Sequence, residues 1–95
     1  MPLEIWIGIV QISYFDGDTP DIRKNAFTVV TTWASDAEEF AEKCQRMSEG
    51  HGWNLLGVER ASPASTRHDY SNEVKDMLDR TRVNHNAIIY GTFSE

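Results

Sequence analysis

Apolar residues recur along the chain with two different periods, and these periods predict its helices and strands. Within residues 35–50 they lie three or four positions apart, as on one face of a helix: Ala37, Phe40, Ala41, Cys44 and Met47. Ser35 and Glu38 have the S-x-x-E spacing of a capping box, and Gly50 can adopt the positive φ that often ends a helix. The pattern therefore predicts a capped amphipathic helix over residues 35–50.

Four segments are rich in β-branched and aromatic residues and are predicted to be strands: 3–15, 26–34, 53–60 and 87–93. The polar segment 16–25 is predicted to be a loop that joins the first two strands into a hairpin. Gly8 interrupts the first strand and indicates a bend or a bulge. A second helix is predicted over residues 69–82, capped by Asp69 or Ser71, with a short apolar stripe of Val74, Met77, Leu78 and Thr81.

The order of these elements, ββαβαβ, is that of a single α+β domain over residues 1–95. We expect a two-layer sandwich, in which a four-stranded mixed sheet carries both helices on one face. Such a fold is loosely ferredoxin-like, although the ferredoxin-like order is βαββαβ.

The first predicted strand is apolar on both of its faces, so it is either a central strand covered on both sides or part of a subunit interface. One face carries Leu3, Ile5, Ile7 and Ile9, and the other carries Trp6, Val10, Ile12 and Tyr14. If both helices cover one face, the other face needs a second cover. We therefore expect a homodimer with Trp6, Val10, Ile12 and Tyr14 at or near its interface. A bend at Gly8, or a loop 16–25 folded back as a lid, would cover the same side chains in a monomer.

The formal net charge is -6. It argues against binding to nucleic acid or anionic membranes, which are polyanions, and favours a basic protein partner. No apolar run approaches the roughly 20 residues that span a bilayer, and the N-terminal residues lack a basic signal-peptide region. The single cysteine cannot form an intramolecular disulfide, which suits a reducing compartment. We expect a cytoplasmic protein of bacterial type.

Residues that could carry chemistry do not form a catalytic or metal-binding pattern. The three histidines lack the close spacing of helix-borne metal ligands, and Pro20 breaks the calcium-loop pattern that Asp16, Asp18 and Asp21 begin. His68 and Asp69 are adjacent, but helix capping accounts for Asp69. Cys44 lies on the apolar helix stripe without a cationic neighbour. The sequence predicts no catalytic residue, cofactor or metal, which favours a protein that is not an enzyme.

The segment 26–60 combines a strand, the helix-forming run WASDAEEFAEKCQRM and the run GHGWNLLGVER. It resembles small bacterial domains of unknown function, some of which are similar to immunity proteins of toxin systems. The resemblance covers about a third of the chain and implies a non-enzymatic protein-binding module. Because many toxins are basic nucleases, an acidic chain is compatible with this immunity-like role.

The alternative is a small dimeric ligand-binding domain or enzyme that resembles the α/β-barrel monooxygenases. Proteins of that class build a pocket between sheet and helices in a chain of about this length. Trp33 and Trp53 flank the first predicted helix, and we expect them to pack over its two ends as part of the core. If a pocket exists, we expect it to involve Trp33, Trp53 and His68, with Trp6 nearby.

Overall fold

The computed structural model describes residues 3–16, 19–66 and 69–94. It confirms an α+β fold in which a four-stranded sheet carries two helices. The elements are β1 (Glu4–Asp16), β2 (Thr19–Ala34), α1 (Ala37–Gly50), β3 (Asn54–Pro63), α2 (Asn72–Val83) and β4 (Ile88–Tyr90), with a short 3₁₀ turn at Ala64–Thr66.

The strands lie side by side in the order β3-β1-β2-β4, and each neighbouring pair is antiparallel. The expected mixed sheet is therefore corrected to an antiparallel one. The crossover from β2 through α1 to β3 does connect parallel strands, but β1 lies between them and separates the pair. This split βαβ arrangement is the loosely ferredoxin-like part of the fold.

The hairpin is longer than the side-chain pattern predicts. Segment 16–25 was expected to be a loop, but β1 continues to Asp16 and β2 begins at Thr19. Backbone pairing continues through Ser13↔Asn25 and Phe15↔Arg23, because ladder hydrogen bonds do not require apolar side chains. Gly17 and Asp18 lie outside the described residues, as do the side chains of Asp16 and Asp21, so the calcium-loop residues are not described.

Alternate residues of a strand point to opposite faces of the sheet. The register Val10↔Thr28 places the even-numbered residues of β1 and β2 on one face, called the even face, and the odd-numbered ones on the odd face. α1 lies on the even face, where Phe40, Cys44 and Met47 join the strand residues of the core: Val10, Ile12, Ala26, Val30 and Ala34.

This core overturns the predicted dimer face. Val10 and Ile12 are 0% and 1% exposed, and Trp6 and Tyr14 pack against the same cluster. Val10 and Ile12 are covered within one chain, so they do not offer a surface to a second copy, whereas Trp6 and Tyr14 are partly buried. β1 is instead a central strand of the sheet, with α1 over its even face and its odd face only partly covered by α2.

α2 lies on the odd face, so the expectation of both helices on one face is corrected. The Thr31 and Thr81 hydroxyls are 2.8 Å apart and buried, and the Trp33 indole N–H donates to the Thr81 carbonyl at 2.6 Å. Thr31 and Trp33 are odd-numbered residues of β2 and therefore point away from α1. The error arose because the apolar stripe of a helix identifies the side that it buries, but not which sheet face it covers.

Gly8 does mark an irregularity, but the bulge lies in the neighbouring strand. The β1–β3 register shifts between Ile7 and Ile9, and Arg60 adopts φ 55 at that level of β3. A side chain at Gly8 would meet the Phe40 ring of α1, because an added Cβ would lie 2.7 Å from Phe40 Cε1. The glycine thus allows α1 to approach the sheet closely.

The helix ends differ from prediction by one or two positions. The N-cap of α1 is Asp36 rather than Ser35, and its carboxylate accepts from the Glu39 amide at 2.8 Å. The residue with positive φ after α1 is Gly52, at 74°, rather than Gly50. Ser71 caps α2, as predicted, by accepting from the Val74 amide.

Candidate functional site

α2 covers only part of the odd face. Its buried residues are Met77 and Thr81, which face β2 and β4. A second stripe of the helix, Ser71, Val74, Lys75, Leu78 and Arg82, instead borders two hollows that open over β1. Each of these hollows is larger than the 180 Å³ hollow that Ile12, Tyr14, Trp53 and Phe93 line.

The first hollow has a volume of about 440 Å³ and lies between the sheet, α2 and the 3₁₀ turn. Leu3, Ile5 and Trp33 form its floor, and Lys75, Leu78 and Arg82 form the helix wall. Ala64 and Ser65 of the 3₁₀ turn, Glu4 of β1 and Tyr70 also line it. Binding sites for small molecules commonly have about 300–1,000 Å³, mostly apolar walls and a few polar groups. The first hollow fits this description.

Trp33 is held rigidly in the floor of the first hollow. Its indole nitrogen donates to the Thr81 carbonyl at 2.6 Å, and its ring stacks on His85 with centroids 4.3 Å apart and an interplanar angle of 21°. The Lys43 ammonium of α1 donates to the Trp33 carbonyl. Thr81 and His85 therefore position the indole, and Lys43 of α1 holds the backbone of the same residue.

The second hollow, of about 450 Å³, lies further along β1. Ile7, Ile9 and Val29 line it on the sheet side, and Arg60 lies on the β3 side. Tyr70 borders both hollows, and its hydroxyl donates to the Ala64 carbonyl at 2.9 Å. Tyr70 is therefore shared by the walls of the two hollows.

Beyond the second hollow the odd face is open, and its apolar side chains reach the surface. Phe15 is 53% exposed, Leu56 50% and Phe27 38%. Leu56 is the extra residue of β3 at the register shift between Gln11 and Ile12, next to Gly57, which pairs with Gln11 of the odd face. The Arg23 guanidinium lies 4.7 Å from the centre of the Phe15 ring. We call the set Ile9, Phe15, Phe27, Val29 and Leu56 the open patch.

The structure does not bring together the residues predicted to form one pocket. Trp33 lines the first hollow on the odd face, whereas Trp53 packs against the core on the even face. Trp53 stacks on His51 with ring centroids 4.3 Å apart and meets Phe93 edge-on at 5.2 Å. The shared Trp33–Trp53 pocket is therefore wrong, because residues 33 and 53 lie at opposite ends of α1 and face different sides of the sheet. His68 lies outside the described residues.

Cys44 is fully buried beneath α1, and this burial raises the pKa of its thiol to about 12. Desolvation disfavours the thiolate, so the side chain is protonated near neutral pH and is a poor nucleophile. Among residues 3–16, 19–66 and 69–94, no three His, Cys, Asp or Glu side chains are grouped as metal ligands would be. No helix in the same ranges is long and apolar enough to cross a membrane.

In comparisons with known proteins, no family model, no curated protein and no solved structure matches this chain.

Sequence reasoning missed most of the residues that border the hollows and the open patch. Phe15 and Phe27 flank a segment that was expected to be a loop, so their pairing with Arg23 and Gln11 in one extended hairpin was not predicted. Arg60 lines the second hollow because of a bulge that no local sequence pattern predicts. A usable signal was the first strand itself, since apolar residues on both faces indicate cover on both sides.

Proposed function

We propose that this protein is a non-enzymatic protein-binding module and that the open patch is its docking surface. The observation that carries the proposal is the concentration of exposed large apolar side chains on one end of the odd face. Phe15, Phe27 and Leu56 lie on neighbouring strands there, without a helix above them. On the odd face the pair Ser13↔Asn25 lies between the levels of Phe15 and Phe27, so these side chains are separate apolar anchors. Exposed aromatic and aliphatic anchors of this kind are typical of protein interaction sites.

The free energy gained by burying the open patch can be compared with the free-energy cost of association, and the comparison indicates how much further contact a partner must provide. Phe15, Phe27 and Leu56 are about half exposed, and complete burial of a large apolar side chain is worth about 1.5–3 kcal/mol. Burying the exposed parts therefore contributes roughly 3 kcal/mol per copy. Two copies together reach roughly 6 kcal/mol, which is comparable with the lower part of the 4–15 kcal/mol that association costs. Self-association through the patch is thus expected to be weak.

The homodimer expected from the sequence accordingly becomes a proposal of weak pairing through the open patch. A tighter complex requires a different protein with its own apolar anchor. The net charge of -6 favours a basic partner by long-range attraction, and exposed carboxylates of both helices contribute to it: Glu38, Glu42, Glu49, Asp76 and Asp79. A basic toxin neutralised by an immunity-like protein is one partner of this chemistry.

Site-specific photocrosslinking in the native host tests the proposal. A benzophenone amino acid at position 27 lies in the open patch, whereas the same amino acid at Gln45 lies on the exposed outer surface of α1. We expect a protein adduct from position 27 and none from position 45. An adduct at twice the 10.8 kDa chain mass identifies a second copy, and any other mass identifies a different protein. Equal adducts from both positions, or none from position 27, would contradict the proposal.

One observation favours the alternative function, a small-molecule-binding domain or enzyme. The first and second hollows have volumes of about 440 and 450 Å³, which exceed the roughly 300 Å³ at the lower end of ligand-binding pockets. The ligand chemistry follows from the side chains of the first hollow.

A further inference from the structure

We propose that the first hollow binds a small organic carboxylate with an aromatic or other flat apolar body. This site is separate from the open patch, and it goes beyond the protein-binding role. Its walls, its charge and its rigidity each point to this ligand class.

The apolar part of the hollow suits a flat ligand. Leu3, Ile5 and Leu78 supply aliphatic surface, and Trp33 supplies an aromatic one. The indole is already fixed by its hydrogen bond to Thr81 and its stacking on His85, so little conformational freedom is lost when a ligand packs against it. Burial of a flat ring against these side chains gives the main favourable contribution.

The charge of the hollow favours an anion, in contrast to the chain as a whole. Two cationic side chains line it, Lys75 and Arg82, against one carboxylate, Glu4. The lining residues that the structure describes thus carry a formal net charge of +1, whereas the whole chain carries -6. Lys75 and Arg82 are two helical turns apart on the same stripe of α2, roughly 10 Å along its axis. A carboxylate at either end of a ligand that lies along the helix therefore meets a cation.

Both cations are available for a ligand. Lys75 has no ion pair with any residue that the structure describes. Arg82 donates to the Asp79 carboxylate at 3.0 Å, but both side chains are about two-thirds exposed. Exposed ion pairs contribute only about 0–1 kcal/mol, so exchanging Asp79 for a ligand carboxylate costs little. The guanidinium can hold a carboxylate through two parallel hydrogen bonds, which gives orientation as well as affinity.

The second hollow is a weaker choice for the same ligand. Its walls carry Arg60 but also Asp69, so the two formal charges cancel, and it opens directly onto the open patch. The first hollow, in contrast, is lined by the sheet, α2 and the 3₁₀ turn. The first hollow is therefore the assigned site.

Three probes with the same ring system test the assignment: 2-naphthoate, 2-naphthalenemethanol and 2-naphthylmethylammonium. Each is titrated into the ¹⁵N-labelled full chain while the Trp33 indole N–H and the amides of Lys75, Leu78 and Arg82 are followed by NMR. We expect naphthoate to bind with a dissociation constant of about 1 mM or lower, which is typical of a ligand of this size. The alcohol should bind more weakly and the ammonium most weakly.

Variants separate charge recognition from simple apolar uptake. The double variant Lys75→Gln/Arg82→Gln should weaken naphthoate about tenfold and leave the alcohol unchanged, because only the carboxylate loses its charge-assisted hydrogen bonds. Arg46→Gln, on the exposed outer surface of α1, is the matched control and should change neither affinity. The substitutions lie at exposed positions, and circular dichroism checks that the variants are folded.

Three outcomes would overturn the assignment. The first is equal affinity for naphthoate and the ammonium probe. The second is naphthoate affinity that the double variant leaves unchanged. The third is shifts confined to the Trp53 and Phe93 region, which would place the probe in the 180 Å³ hollow of the even face. None of these outcomes bears on the crosslinking at position 27, so the two proposals stand or fall separately.

Discussion

Replacing Gly8 by alanine tests whether the close contact between α1 and the sheet is as tight as the geometry indicates. An added Cβ would lie 2.7 Å from Cε1 and 3.0 Å from Cζ of Phe40, and 3.3 Å from the Ala61 Cα. Distances below about 3 Å between carbon atoms are strongly repulsive. Phe40 is completely buried and Ala61 contributes backbone, so neither neighbour can withdraw freely.

The expected magnitude is the difference between two opposing effects. Overpacking a buried site by one methyl group costs about 1–3 kcal/mol. Replacing glycine by alanine within a strand stabilises the folded state by about 0.5–1 kcal/mol, because the unfolded chain then loses less conformational entropy on folding. We therefore expect Gly8→Ala to lower the free energy of unfolding by about 1–2 kcal/mol, which corresponds to a melting temperature lower by about 4–16 °C.

Urea denaturation followed by circular dichroism, with linear extrapolation, measures this change. Gly57→Ala is the matched control, because Gly57 also lies in a strand but has nothing within 4 Å of an added Cβ. It should be neutral or slightly stabilising. Adding Phe40→Leu to Gly8→Ala removes the Cε1 and Cζ atoms, so the double variant should be about 1 kcal/mol more stable than additivity predicts. A fully stable Gly8→Ala variant, or strict additivity, would refute the proposed contact.

Two further predictions concern buried groups. The Cys44 pKa is raised from 9.0 to about 12 by burial, so the folded state favours the protonated thiol. The stabilisation that this pKa difference gives the folded state is fully present below about pH 9 and is lost as the pH rises toward 12. The free energy of unfolding of Cys44→Ala should therefore fall less steeply between pH 9 and 12 than that of the wild type, as measured by urea denaturation. Thr31→Val removes one hydroxyl contact, whereas Thr81→Val also removes the bond from its hydroxyl to the Met77 carbonyl at 2.8 Å. Urea titrations should show that Thr81→Val is more destabilising by about 1 kcal/mol, and equal effects would argue against a contribution from the Thr81–Met77 bond.

Local patterns in the sequence predicted the elements well, because those patterns arise from neighbours along the chain. The apolar stripe of α1 and the Ser71 cap of α2 depend on residues within one or two turns. The extent of the hairpin was less predictable, because polar residues such as Ser13 and Asn25 pair through their backbones. Element boundaries therefore moved, but the ββαβαβ order did not.

The candidate site was less predictable because it depends on which face each helix covers. Met77 and Thr81 show which side of α2 is buried. Because β1 is apolar on both of its faces, the sequence does not show which face of the sheet that side of α2 covers. Placing both helices on one face made Val10 and Ile12 the predicted interface, although they are the centre of the core. Once α2 is placed on the odd face, the side chains left at the surface are those around Phe27 and Leu56.

A mismatch between helix and sheet dimensions explains why both candidate sites lie on the odd face. Four strands about 4.8 Å apart give a sheet roughly 19 Å wide, whereas a helix with its side chains is only about 10–12 Å across. One helix per face therefore leaves part of each face uncovered. On the even face, Trp53 and Phe93 pack against the core beside α1 and help to fill the remaining width. On the odd face α2 packs on β2 and β4, and no comparable aromatic pair covers the described part of β1 and β3. The first hollow and the open patch are the two ends of that uncovered strip.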